Sequence, residues 1–186
     1  MGLYTLSLKV EALVDFIGKK ASLLIIALMA VIVTDVILRR WFVIGSTQLQ
    51  ELEWHLHGAL FLLTIGWAYS REQHVRIELI RNYFSANTKA WIELIGCTCF
   101  LIPYVAAVIW FGIDYAAISF EYGETSASPS GLGYRWIIKS CMVVGFFLIG
   151  LVAISRLMQS FLYLFGGDAI RNQIQHFSKH DQIGLS

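Results

Sequence analysis

ASLLIIALMAVIVTDVIL, residues 21–38, is an apolar run of 18 residues with one ionisable side chain, Asp35. A helix rises about 1.5 Å per residue, so about 20 such residues cross roughly 30 Å of hydrocarbon. The run therefore reads as a membrane span. Outward from it, LEWHLHGALFLLTIGWAY (about 52–69), the stretch about 86–120 and the stretch about 136–165 repeat the pattern. The chain is 57% hydrophobic and 15% charged, and the excess is clustered in these runs. Four spans and their connections take up nearly all of the 186 residues, which leaves no room for a soluble catalytic domain. The predicted fold is an all-α membrane protein, one domain over residues 1–186, with four transmembrane helices.

Residues 1–20 form an arm ahead of the first span. Leu3, Leu6, Val10, Leu13, Val14 and Ile17 recur at helical spacing, and Lys9, Glu11, Asp15 and Lys19 lie off that face. Such an amphipathic helix is expected to lie in the membrane interface. The arm lacks the short apolar core and small-residue cleavage site of a signal peptide. At the other end of the first span, Asp35 stands four residues before Arg39, a spacing that predicts a pair along the helix.

Ser85 is placed to cap the third helix. That helix is longer than one bilayer thickness and carries Pro103, so it is expected to tilt and kink. The Gly- and Ser-rich segment EYGETSASPSGLGY connects it to the fourth. Residues 166–186 read as a polar cytoplasmic tail. Lysines and arginines set the orientation. Lys9, Lys19, Lys20, Arg71, Arg76, Arg81, Lys89, Arg156, Arg171 and Lys179 fall on one side, and Arg39, Arg40, Arg135 and Lys139 on the other. Both termini are expected in the cytoplasm, with Arg39 and Arg40 against the rule.

Three constellations carry polar chemistry. QELEWHLHGALF opens the second span, with Glu51 and His55 four apart, as are Glu53 and His57. A metal would need further ligands, and His74 is predicted on the opposite side of the membrane, so no metal is expected. HVRIELI at 74–80 alternates His74, Arg76 and Glu78 with apolar residues, as an interfacial stretch does. In SGLGYRWIIK, Trp136 fits an aromatic belt, and Lys139 is placed to snorkel outward. None of these makes a nucleophile–base pair, a carboxylate dyad or a phosphate loop, so no catalytic residue and no cofactor is expected. The net charge of +1 gives no footing for nucleic acid. Cys97, Cys99 and Cys141 all lie in apolar runs and read as packing residues.

In order along residues 20–160, Glu53-Trp54, WAYSREQHVRIELI, TKAWIELIG, the loop around Pro129 and Gly131, and RWIIK resemble the small membrane subunit of tripartite ATP-independent periplasmic (TRAP) transporters. His74-Val75-Arg76 followed by an acidic residue is the most specific piece. Glu78 stands where many relatives have Asp. QELEWHL and GLGYRWIIK look most like the branch labelled for mannitol or chloroaromatic compounds. The resemblance implies a sodium-coupled importer of an organic acid in the bacterial inner membrane. Its partners would be a large membrane subunit, a periplasmic solute-binding protein and membrane lipids. Glu53, Trp54, His74, Arg76, Glu78, Trp136 and Lys139 are the candidate subunit-interface or lipid contacts. The rival is a haem- or quinone-carrying anchor of an oxidoreductase. That anchor would need histidines opposed across the bundle, whereas His55 and His57 share one helix. An autonomous transporter or channel would need polar residues at mid-membrane, which the spans lack.

Overall fold

The computed structural model describes residues 2–71, 84–171 and 173–174, and among these every regular element is helical. In chain order they are α1 (Gly2–Ser22), α2 (Leu24–Trp41), α3 (Thr47–Ser70), α4 (Ala86–Gly96), a π-helical turn (Cys97–Leu101), α5 (Ile102–Glu121), α6 (Trp136–Phe165) and the short α7 (Asp168–Arg171). Three helical stretches are long and apolar enough to cross a bilayer: Gly2–Trp41, Ala86–Glu121 and Trp136–Phe165. The sequence predicts a fourth span at about 52–69. A helix, α3, does form there, but it is not among those three. Glu51, Glu53, His55 and His57 dilute its first half.

Local chemistry explains the ends of these helices. Ser46 Oγ accepts from the Leu49 N–H at 3.3 Å at the start of α3, and Ser85 Oγ accepts from Thr88 at 3.3 Å at the start of α4. The second is the cap the sequence predicts. Pro103 has no N–H and crowds the carbonyl one turn back. The chain meets this with the π-helical turn, where the Ile102 N–H bonds to the Cys97 oxygen. α5 ends on Gly123 at φ 56°, with Glu124 N–H reaching the Ser119 oxygen at 2.9 Å. That is the glycine stop of a helix in its usual form. α2 ends in a similar reversal, with Ile44 N–H on the Leu38 oxygen at 3.1 Å, but the left-handed residue is Val43 at φ 55°.

Helix α6 is the centre. α1, α3, α4 and α5 all pack against it, while α2 packs mainly on α3. Leu148 and Val152 of α6 meet Val14 of α1 in the buried core, with Trp67 of α3 beside them. Two glycines let α3 and α6 approach closely. A Cβ on Gly66 would lie 3.1 Å from the Leu148 backbone carbon, and one on Gly145 only 2.2 Å from the Leu62 carbonyl oxygen. Small residues serve this purpose between membrane helices.

α1 keeps only part of the face that the sequence predicts. It runs on almost directly into α2, and the face it turns inward is Ser7, Val14, Gly18 and Ala21. Of the predicted apolar face, Val14 is fully buried and Ile17 packs beside it, whereas Leu3, Leu6 and Leu13 are exposed. In water the apolar stripe would turn to the core. In lipid, apolar side chains lose nothing by facing outward, so polar and small groups turn inward to find one another.

Candidate subunit-interface site

The polar groups of the molecule gather at the two ends of α3. At the first end Glu51 is 7% exposed. One carboxylate oxygen accepts from the Ser126 hydroxyl, and the other accepts from the Leu132 backbone N–H at 2.7 Å. The Arg135 guanidinium stands 3.9 Å away. Glu51 thereby ties the segment between α5 and α6 down onto α3. Ser130 adds a hydroxyl contact of 3.4 Å to Thr47. His55 does not pair with the Glu51 carboxylate. Its Nδ1 donates to the Glu51 backbone oxygen at 2.6 Å, which leaves Nε2 buried and without a partner among the described residues. Asp35, 3% exposed, pairs with Arg39 as its spacing predicts. Gln50, with its amide oxygen turned to Arg39, accepts at 2.9 Å and links that pair to α3.

Of the residues singled out in the sequence, Glu53 is half-buried with no ion pair among the described residues, and Trp54 is 72% exposed on the outside of α3. The carboxylate that organises this end is Glu51, two positions earlier. Trp136 packs edge-on to Phe120 with ring centroids 5.3 Å apart. Lys139 does not reach away from the bundle. It pairs with Glu124 in the connecting segment and sits 3.7 Å from the centre of the Tyr115 ring. The Lys139 ammonium holds the Glu124 carboxyl below its ordinary value. His74, Arg76 and Glu78 lie outside the described residues.

At the second end α1 is stitched down by a polar seam. Glu11 accepts from Ser155 Oγ at 3.1 Å and Gln159 Nε2 at 2.9 Å, with Arg156 Nε at 3.9 Å. Arg156 is 4% exposed and also donates to the Ser70 oxygen at 2.6 Å, at the end of α3. Asp15 accepts from Trp67 Nε1 and Arg71 Nε, both at 2.7 Å, and pairs with Lys19 at 2.6 Å. Tyr4 OH donates to the Gln173 oxygen at 3.2 Å, beyond α7. The sequence reading did not find this seam. Its signal was present: Arg156 and Gln159 are polar side chains inside an apolar helix, where they need partners.

Comparison with known proteins follows the same line. Residues 28–162 match the family model described as "Tripartite ATP-independent periplasmic transporters, DctQ component". The chain is 25% identical over 162 residues to the "Putative TRAP transporter small permease protein" of Haemophilus influenzae. The match covers 85% of this chain and 98% of that protein. No solved structure matches the chain.

Proposed function

The chain belongs to the DctQ component family of the tripartite ATP-independent periplasmic transporters, and from that premise we propose that it is the static scaffold of a three-part importer. It is the small subunit of a transporter, not an enzyme. It is also a multi-pass membrane protein. In our reading a large membrane subunit carries the solute, an organic acid moved with sodium, and a periplasmic protein delivers it. This chain sits in the bacterial inner membrane and holds the large subunit in place.

One observation carries the reading. Four polar side chains of the central helix, Lys139, Ser155, Arg156 and Gln159, are committed to Glu124, Ser7, Glu11 and Ser70 within the same chain. Groups bound so firmly to their own fold suit a scaffold. A transport site needs groups that exchange partners with a solute. Glu53, with Arg76 and Glu78 as a pair, is our candidate for the contact with the large subunit, because an interfacial charge needs water, headgroups or a partner to solvate it.

Uptake in liposomes is the test. The lone chain should move no organic acid under a sodium gradient, and uptake should appear once the large subunit and binding protein are added. Glu53→Ala and Arg76→Ala should each reduce co-purification with the large subunit in mild detergent and leave solute affinity of the binding protein unchanged. Uptake by the lone chain would overturn the scaffold reading. Wild-type assembly of both variants would remove only the contact assignment.

We also propose that α3 is a fourth span, that both termini are cytoplasmic and that α1 lies near the cytoplasmic interface. The lysine and arginine asymmetry supports this. Reporter fusions after Gly167 and within residues 77–90 should report cytoplasm, and fusions near Ser126 periplasm. A periplasmic report after Gly167 would refute the four-span arrangement.

A further inference from the structure

The connection between α2 and α3 is built against its own backbone preference. Val43 holds φ 55°, a region that β-branched residues rarely enter because the branch meets the preceding carbonyl. Glycine would take that angle without strain, as Gly123 does at the end of α5. Strain of this kind persists where the surrounding structure imposes it, and it points to a use. The side chain it displays is the second unusual feature. Val43 is 87% exposed, and its neighbours Trp41, Phe42 and Ile44 are 70%, 63% and 54% exposed. Four consecutive large apolar residues at a reversal of the chain would be a liability in water.

Three observations identify what covers them. The patch continues the exposed apolar side of α2 through Met29, Val33 and Val36, which lies on a stretch able to cross a bilayer. Arg40 beside it is exposed and has no ion pair among the described residues. Exposed Trp54, Tyr122 and Tyr134 stand at the same end of the bundle, where a belt of amphipathic rings marks the headgroup level. Cationic, aromatic and aliphatic groups side by side fit a phospholipid leaflet, with carbon below the glycerol and the guanidinium at phosphate depth.

We propose that residues 40–44 are a membrane anchor, in which left-handed Val43 turns Trp41, Phe42 and Ile44 with itself into the headgroup–acyl boundary beside Arg40. The anchor fixes the depth and tilt of α2, which packs mainly on α3 and has little else to hold it. Glycine would relieve the strain but remove the side chain that the wedge needs.

The test uses the full chain in phospholipid nanodiscs, with the three native cysteines replaced and a nitroxide at Val43→Cys. Collision with oxygen should exceed collision with a water-soluble nickel chelate, as at the headgroup–acyl boundary. With the nitroxide moved to Ile44→Cys, adding Val43→Gly should raise nickel access roughly threefold or more as the wedge lifts out. Nickel access at Val43 equal to that of a water-exposed site would overturn the proposal. So would Ile44 access unchanged by Val43→Gly. The measurement is repeated with the large subunit co-purified. Loss of access to both reagents would make the patch a subunit contact and also overturn the anchor.

Discussion

Gly145→Leu should lower the melting temperature of the purified chain in mild detergent by roughly 5 °C or more. The reason is geometric. A Cβ at Gly145 meets the Leu62 carbonyl oxygen at 2.2 Å and the Leu62 carbonyl carbon at 2.8 Å. Both are backbone atoms of α3, so no side chain can swing aside and the two helices must part. Overpacking of this kind costs about 1–3 kcal/mol, and parting α3 from α6 also loosens the contacts on either side. Gly96→Ala is the control. Nothing lies within 4 Å of its added carbon, and alanine is the better helix former by about 1 kcal/mol. Its melting temperature should hold or rise. Equal behaviour of the two variants in a differential scanning fluorimetry series would show that α3 and α6 do not meet at Gly145.

Arg156→Met should be the most damaging single change in the polar seam. The side-chain length is kept, but Glu11 and the Ser70 carbonyl lose their cation. Removing one partner of a buried pair costs about 3–5 kcal/mol, and the partial exposure of Glu11 puts this case near the lower figure. The loss should fall on α1 specifically, because Glu11 belongs to it. Hydrogen exchange should rise across residues 4–18 while the amides of α5 keep their protection. Adding Glu11→Gln to Arg156→Met should recover much of the loss, since no charge is then left unmatched. If the double variant is as unstable as the single one, Arg156 acts through packing and not through its charge.

Much of this fold was legible from apolar run length alone. The first, third and fourth runs become helical stretches of 40, 36 and 30 residues. The Ser85 cap and the Asp35–Arg39 pair follow from spacing within a single helix, which sequence displays directly. Faces were harder. Hydrophobic periodicity marks the side of a helix that avoids water, yet in lipid that side need not be the packed one. For α1 periodicity marks Leu3, Leu6, Val10, Leu13, Val14 and Ile17. Of these the structure packs Val14 and Ile17 and leaves Leu3, Leu6 and Leu13 exposed, while Ser7, Glu11 and Asp15 supply polar contacts that periodicity does not mark. The choice between Glu51 and Glu53 was illegible for a related reason. Both sit in the first half of α3, and only the return of Ser126 and Leu132, more than 70 residues later, selects Glu51. Resemblance pointed to Glu53 and the 74–78 segment as contacts with another chain.

The arrangement around α6 has a consequence for the order of synthesis. α1, α2 and α3 find one another as they leave the ribosome, since α1 and α2 both pack on α3. Among the described residues α4 and α5 pack chiefly on α6, the last long helix to emerge, with only a lighter contact to α3 where Tyr69 OH reaches Glu93 at 3.3 Å. Until then the Ala86–Glu121 stretch lacks most of its packing. A chain truncated before Trp136 would keep its first three helices together and leave the fourth and fifth without their main partner. That is the sort of lesion that membrane proteases recognise.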